Sequence, residues 1–76
     1  MRAQQANIGT LVWNPRIGLD ISFAHGGTYG GLLPGQKIEI YYNGVWVATT
    51  VMVNEQGYFY LKKFANINLI GSKVKV

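Results

Sequence analysis

Two alternating apolar runs, Lys37-Ile38-Glu39-Ile40-Tyr41-Tyr42 and Val45-Trp46-Val47-Ala48-Thr49-Thr50-Val51-Met52-Val53, are separated only by Asn43-Gly44. A type I′ turn needs positive φ at both central residues, and Asn-Gly supplies it, so the pair predicts a tight β-hairpin. A two-residue loop also fixes register. It sets Tyr42 opposite Val45, Tyr41 opposite Trp46, Ile40 opposite Val47 and Glu39 opposite Ala48. Ile38, Ile40, Tyr42, Val45 and Val47 then share one face, the expected core, while Tyr41 and Trp46 fall on the other beside Lys37 and Glu39.

The same grammar extends along the chain. Asn54-Glu55-Gln56-Gly57 reads as a turn into a strand at 58–61, completing a three-stranded meander. Upstream, 8–13 and 19–23 flank Asn14-Pro15-Arg16-Ile17-Gly18 and predict a second hairpin. Residues 24–36, rich in glycine, read as a loop folded over one end of the domain. Residues 62–69 are expected to hold a single helical turn or an irregular crossing, and 73–76 a last short strand. Leu33-Pro34-Gly35-Gln36-Lys37-Ile38-Glu39-Ile40 is echoed by Leu69-Ile70-Gly71-Ser72-Lys73-Val74-Lys75-Val76. Each reads as a leucine anchoring a glycine turn that opens a strand, which is sufficient without a repeat.

Ten glycines and two prolines punctuate runs of β-branched and aromatic residues at short intervals, the mark of several strands joined by tight turns. The expected fold is all-β: a small SH3-like barrel of five to six short antiparallel strands. An OB-like barrel is the alternative, weakened because its strands are usually longer. Residues 1–7 read as a flexible tail and 8–76 as a single small β-barrel domain. No apolar run approaches the ~20 residues of a membrane helix, so a cytoplasmic, non-membrane chain is expected. The absence of cysteine fits a reducing compartment.

Chemistry is limited by inventory. One His, one Asp and two Glu cannot furnish an oriented nucleophile and base, and His25 has no acid near it in sequence. Without cysteine no thiolate exists for metal or covalent work. The glycines of 26–31 precede a strand rather than a helix and lack Gly-Lys-Ser/Thr, so they form no phosphate loop. The chain reads as non-enzymatic, without cofactor or metal; Phe23, Phe59 and Trp13 read as core.

Recognition is what remains. Net charge is +4, and after Glu55 four lysines, Lys62, Lys63, Lys73 and Lys75, meet no acid. Lysine also protects exposed sheet edges, so these charges are edge guards or a surface for an acidic partner. With Lys37, Tyr41 and Trp46 they make the candidate partner-binding set. If the outer face is open, the aromatic pair offers a platform; if the strands cover it, the pair fills a second core. A protein partner, met by an adaptor or inhibitor surface, is the favoured reading because charge is sparse and Tyr and Trp are plentiful. Nucleic acid is the alternative, and self-association as a homodimer a further case. Lysines converging beside exposed aromatics would favour nucleic acid; dispersed lysines would favour protein.

The stretch from Ile8 to Val76 resembles a family of small uncharacterised domains of Gram-positive bacteria and their mobile elements and phages. Gly9-Thr10-Leu11, Tyr29-Gly30-Gly31-Leu32 with Gly35, Asn43-Gly44 with Trp46, the 58–61 strand and Leu69-Ile70-Gly71 carry the resemblance. It implies a small β domain and accessory-gene biology, and transfers no activity to any residue.

Overall fold

The computed structural model describes residues 8–76; the tail expected at 1–7 lies outside them. Six strands run β1 Ile8–Asn14, β2 Gly18–Ser22, β3 Lys37–Tyr42, β4 Val45–Val53, β5 Phe59–Leu61 and β6 Lys73–Lys75. They form one antiparallel sheet in the order β2-β1-β6-β3-β4-β5. Among the described residues there is no helix, and residues 62–69 cross between strands through turns. The all-β reading with six short antiparallel strands holds, and no described segment is a helix long and apolar enough to cross a membrane.

The sheet curls into a half-barrel around Leu11, Ile21, Leu32, Ile40, Val51 and Val74, each at most 2% exposed. Its edges, β2 and β5, do not share a ladder. They meet through side chains: the Phe59 ring of β5 lies over Gly18 of β2, so close that a Cβ there would sit 2.6 Å from the ring. Trp13 stands edge-on to the same ring, centroids 6.4 Å apart.

The Asn-Gly hairpin forms as the sequence requires, with Asn43 at φ 51 and Gly44 at φ 83, and all four expected cross-strand pairs are present. Three burial expectations are corrected. Val45 is 57% exposed because it abuts the hairpin tip, whereas β6 pairs only with Glu39 and Ile40 farther back. Trp13, near the tip of the β1–β2 hairpin, is 50% exposed and rests on the rim of the core. Leu33 does not anchor its turn; Leu32 is the buried one. Phe23 and Phe59 are partly buried and pack against the core, as expected of core aromatics.

The echo noted in the sequence has a structural meaning that the turn-only reading missed. In both turns the fourth residue donates to the leucine carbonyl, Gln36 to Leu33 and Ser72 to Leu69, each at 3.0 Å. Gly35 and Gly71 both have the positive φ that a type II turn requires. Each turn then clasps a core residue of the neighbouring strand. Gly35 donates to Val51 O and Val51 to Gln36 O; Gly71 donates to Leu11 O and Leu11 to Ser72 O. Lys37 pairs with Thr50 as Lys73 pairs with Thr10, and Val51 with Leu61 as Leu11 with Ile21. Asn14 and Asn54 open the two hairpin turns alike, each side-chain carbonyl accepting the N–H two residues on at 2.9 Å. β3-β4-β5 and β6-β1-β2 are thus two copies of one meander, related by an approximate two-fold axis. The axis passes through the central pair Glu39–Lys75.

Candidate functional site

Alternation along the strands decides what the outer face carries. Ile38 and Ile40 point inward, so Lys37, Glu39 and Tyr41 point out; Val74 points inward, so Lys73 and Lys75 point out. Lys62 follows inward Leu61 and continues the ladder, donating to Thr50 O. Four lysines from three different parts of the sequence therefore share the face that holds Tyr41 and Trp46. Lys63 borders the same face, lining a hollow with Lys37 and Lys62.

Tyr41 and Trp46 are cross-strand partners with ring centroids 5.2 Å apart and planes tilted by 59°. Tyr41 is 41% exposed and Trp46 is half-buried, so the pair is an accessible platform rather than a second core. Lys75 sets its Nζ 4.4 Å from the centre of the Trp46 ring and 3.4 Å from Glu39 Oε1. At a partly exposed surface each of these contacts contributes on the order of 1 kcal/mol or less. Lys75 is oriented by them without being locked. Glu39, the one carboxylate of β3, is thereby matched by a cation.

Asp20 is the other acid on the sheet, and it is withdrawn from the surface. It is 1% exposed, and its Oδ1 accepts the N–H groups of Ile21, Gly30 and Gly31 at 2.8, 3.0 and 2.9 Å. The glycine-rich loop, expected over one end of the domain, runs instead along β2, and Asp20 pins it there. His25 is exposed on that loop, edge-on to Phe23 at 5.6 Å. Among the described residues no three of His, Cys, Asp and Glu come together.

The sequence reading missed the small residues beside the lysines. Thr50 and Ala48, with the nearly buried Thr49, line the hollow between Lys37, Lys62 and Lys63. Ile8, Thr10 and Ser22 line a groove together with Lys73, Trp46 and Phe23. The available signal was the echo, which puts a lysine at the start of both β3 and β6.

Residues 9–76 match the domain of unknown function DUF5348, and the chain belongs to that family. The fold is similar to that in a crystal structure of a protein from Ruminococcus gnavus, 28% identical, with a TM-score of 0.77 over 91% of this chain and 99% of that one. A comparison with curated proteins gives no match.

Proposed function

We propose that this chain is a non-enzymatic, cytoplasmic binding module, SH3-like in the curl of its sheet, whose outer face binds single-stranded nucleic acid. The observation that carries the reading is that Lys37, Lys62, Lys73 and Lys75 share one sheet face with the Tyr41–Trp46 platform. Of the two acids on the sheet, Glu39 is paired with Lys75 and Asp20 is buried under the loop, while Glu55 lies in the turn between β4 and β5. Lysines neutralise phosphates, and aromatic rings stack on any base that is free of its own duplex neighbours. With no helix to enter a major groove, base contact falls to those rings, which favours an unpaired strand. The Gram-positive, mobile-element setting implied by the resemblance fits such a module.

The experiment is a titration of short oligothymidylate, followed by tryptophan fluorescence in a Trp13→Phe background so that Trp46 alone reports. Binding at ~50 mM salt is expected, weakening with salt along a log–log slope near −3, since single-strand contacts contribute about −0.7 per phosphate neutralised. No quenching at low salt, or binding indifferent to salt, would sink the reading.

A protein partner is the second reading, motivated by a different place. Trp13, Ile67 and Ile70 are exposed and rim a hollow at the open end of the half-barrel. Pull-down with wild type, Trp46→Ala and Trp13→Ala separates the two surfaces. Loss of a partner with Trp13→Ala alone would favour a protein-facing adaptor or inhibitor, and sedimentation would reveal the homodimer case.

A further inference from the structure

The two hollows that border the outer face occupy the same place in the two halves of the molecule. One is lined by Lys37, Ala48, Thr49, Thr50, Lys62 and Lys63. By the pairing of the two meanders, their counterparts are Lys73, Ile8, Gly9, Thr10, Ser22 and Phe23, and every one of these lines the other groove. A lysine and a threonine opposite it are kept in both halves. The remaining positions differ in a consistent direction: Lys62 and Lys63 stand where Ser22 and Phe23 stand, and Ala48 where Ile8 stands. Trp46 walls only the second groove.

We propose that the two halves have diverged into complementary subsites for one strand of nucleic acid, a phosphate subsite at Lys37, Lys62 and Lys63 and a base subsite at Trp46, Phe23 and Ile8. The assignment rests on the nucleic-acid reading above and adds where each part of the ligand sits.

The phosphate subsite has three ammonium groups and no carboxylate in its lining. Lysine is a flexible point charge that takes an anion in many orientations, which suits a backbone that must slide and turn. Thr49 Oγ1, itself nearly buried, accepts the Lys63 N–H at 3.3 Å and ties the backbone of Lys63 to β4. The base subsite has lost that hydroxyl along with the charge. Gly9 stands in place of Thr49, and a Cβ at Gly9 would lie 2.5 Å from Ile21 Cγ2 and 2.6 Å from Ser22 O, so no side chain is accommodated there. The groove is instead bounded by Ile8, Phe23 and the Trp46 ring, surfaces that a flat base can cover. Lys73 remains as a single cation at its edge. The Glu39–Lys75 pair lies on the axis between the two subsites.

The test uses two probes on the intact chain. Sodium pyrophosphate, followed in amide spectra, is expected to shift resonances around Lys37, Thr49, Thr50, Lys62 and Lys63 while leaving the Trp46 indole N–H in place. In oligothymidylate titrations the double variant Lys62→Gln/Lys63→Gln is expected to lose about 1.4 from the salt slope, two contacts at about −0.7 each, yet keep the full Trp46 quenching at saturation. Ile8→Ala, at an exposed position of the base subsite, is expected to weaken oligothymidylate several-fold with the slope unchanged. Pyrophosphate shifts spread equally over both hollows, or an unaltered slope in the double variant, would overturn the subsite assignment while oligonucleotide binding itself stood. Oligothymidylate that fails to bind wild type would instead remove the nucleic-acid reading and the assignment with it. Circular dichroism of each variant confirms that the sheet is intact.

Discussion

Asp20 concentrates more polar contacts than any other side chain of the sheet. One carboxylate oxygen, almost wholly out of water, accepts three backbone N–H groups, two of them from the successive glycines Gly30 and Gly31. Their φ values of 103 and 106 are open to glycine and strained for other residues. This turns both amides toward one anion, a backbone nest closed on a side chain of the same protein. Hydrogen bonds to a charged acceptor contribute about 1.5–3 kcal/mol each, and stranding buried donors adds a desolvation cost. Asp20→Ala is therefore expected to lose on the order of 3 kcal/mol, read from urea unfolding, and to speed hydrogen exchange at Gly30 and Gly31. A loss below ~1 kcal/mol would show that the loop is held by its own backbone bonds, Tyr29 to Ile21 O and Leu32 to Leu19 O. The sequence displayed Asp20 only as a polar residue in an alternating strand, and nothing in that pattern marks a carboxylate as buried under a loop ten residues away.

Among the elements, the hairpins were legible and their neighbours were not. Asn43-Gly44 dictates its own turn, and a two-residue loop leaves no freedom of register, so the sequence alone pairs Tyr41 with Trp46. Which strands flank that hairpin depends on pairings across long stretches of chain, β6 with β1 and β6 with β3. Alternation alone does not encode them. For the same reason the lysines are visible in the sequence but their common face is not, and Val45 and Trp13 read as core because a face does not reveal where its opposing layer ends. The junction of the two sheet edges makes the point most sharply. Gly18 reads as a turn glycine, and its φ of 95 fits that role. Its lack of a Cβ also admits the Phe59 ring at the seam. Gly18→Ala therefore combines left-handed strain of about 1–2 kcal/mol with a clash against a ring. Chemical denaturation is expected to show a loss of roughly 3 kcal/mol, and the double variant Gly18→Ala/Phe59→Leu a smaller one than the two single losses added together. Strict additivity would mean that the ring and the glycine do not depend on each other.

At the scale of the whole molecule, the two-fold relation between β3-β4-β5 and β6-β1-β2 makes connectivity separable from architecture. One copy is a continuous meander whose first two strands are joined by Asn43-Gly44. In the other, the corresponding strands β6 and β1 are paired, with Lys75 opposite Ile8, but belong to opposite ends of the described chain. If the sheet is held by its ladders and core rather than by which turn is covalent, the two junctions are interchangeable. A circular permutant that joins Val76 back to the start of β1 through a short Asn-Gly linker and opens the chain between Asn43 and Gly44 is then expected to fold to the same sheet. Permutation is tolerated where the joined ends already lie side by side. The opened hairpin should fray at Tyr42 and Val45, the exposed tip, while Ile38, Ile40 and Val51 stay protected in hydrogen exchange. The Tyr41–Trp46 pairing would weaken with the fraying, so oligothymidylate should still meet the Lys37–Lys62–Lys63 hollow but quench Trp46 less. Collapse of the permutant to an unfolded chain would show that the Asn-Gly hairpin nucleates the sheet and that the two halves, alike in geometry, are not alike in how the molecule is built.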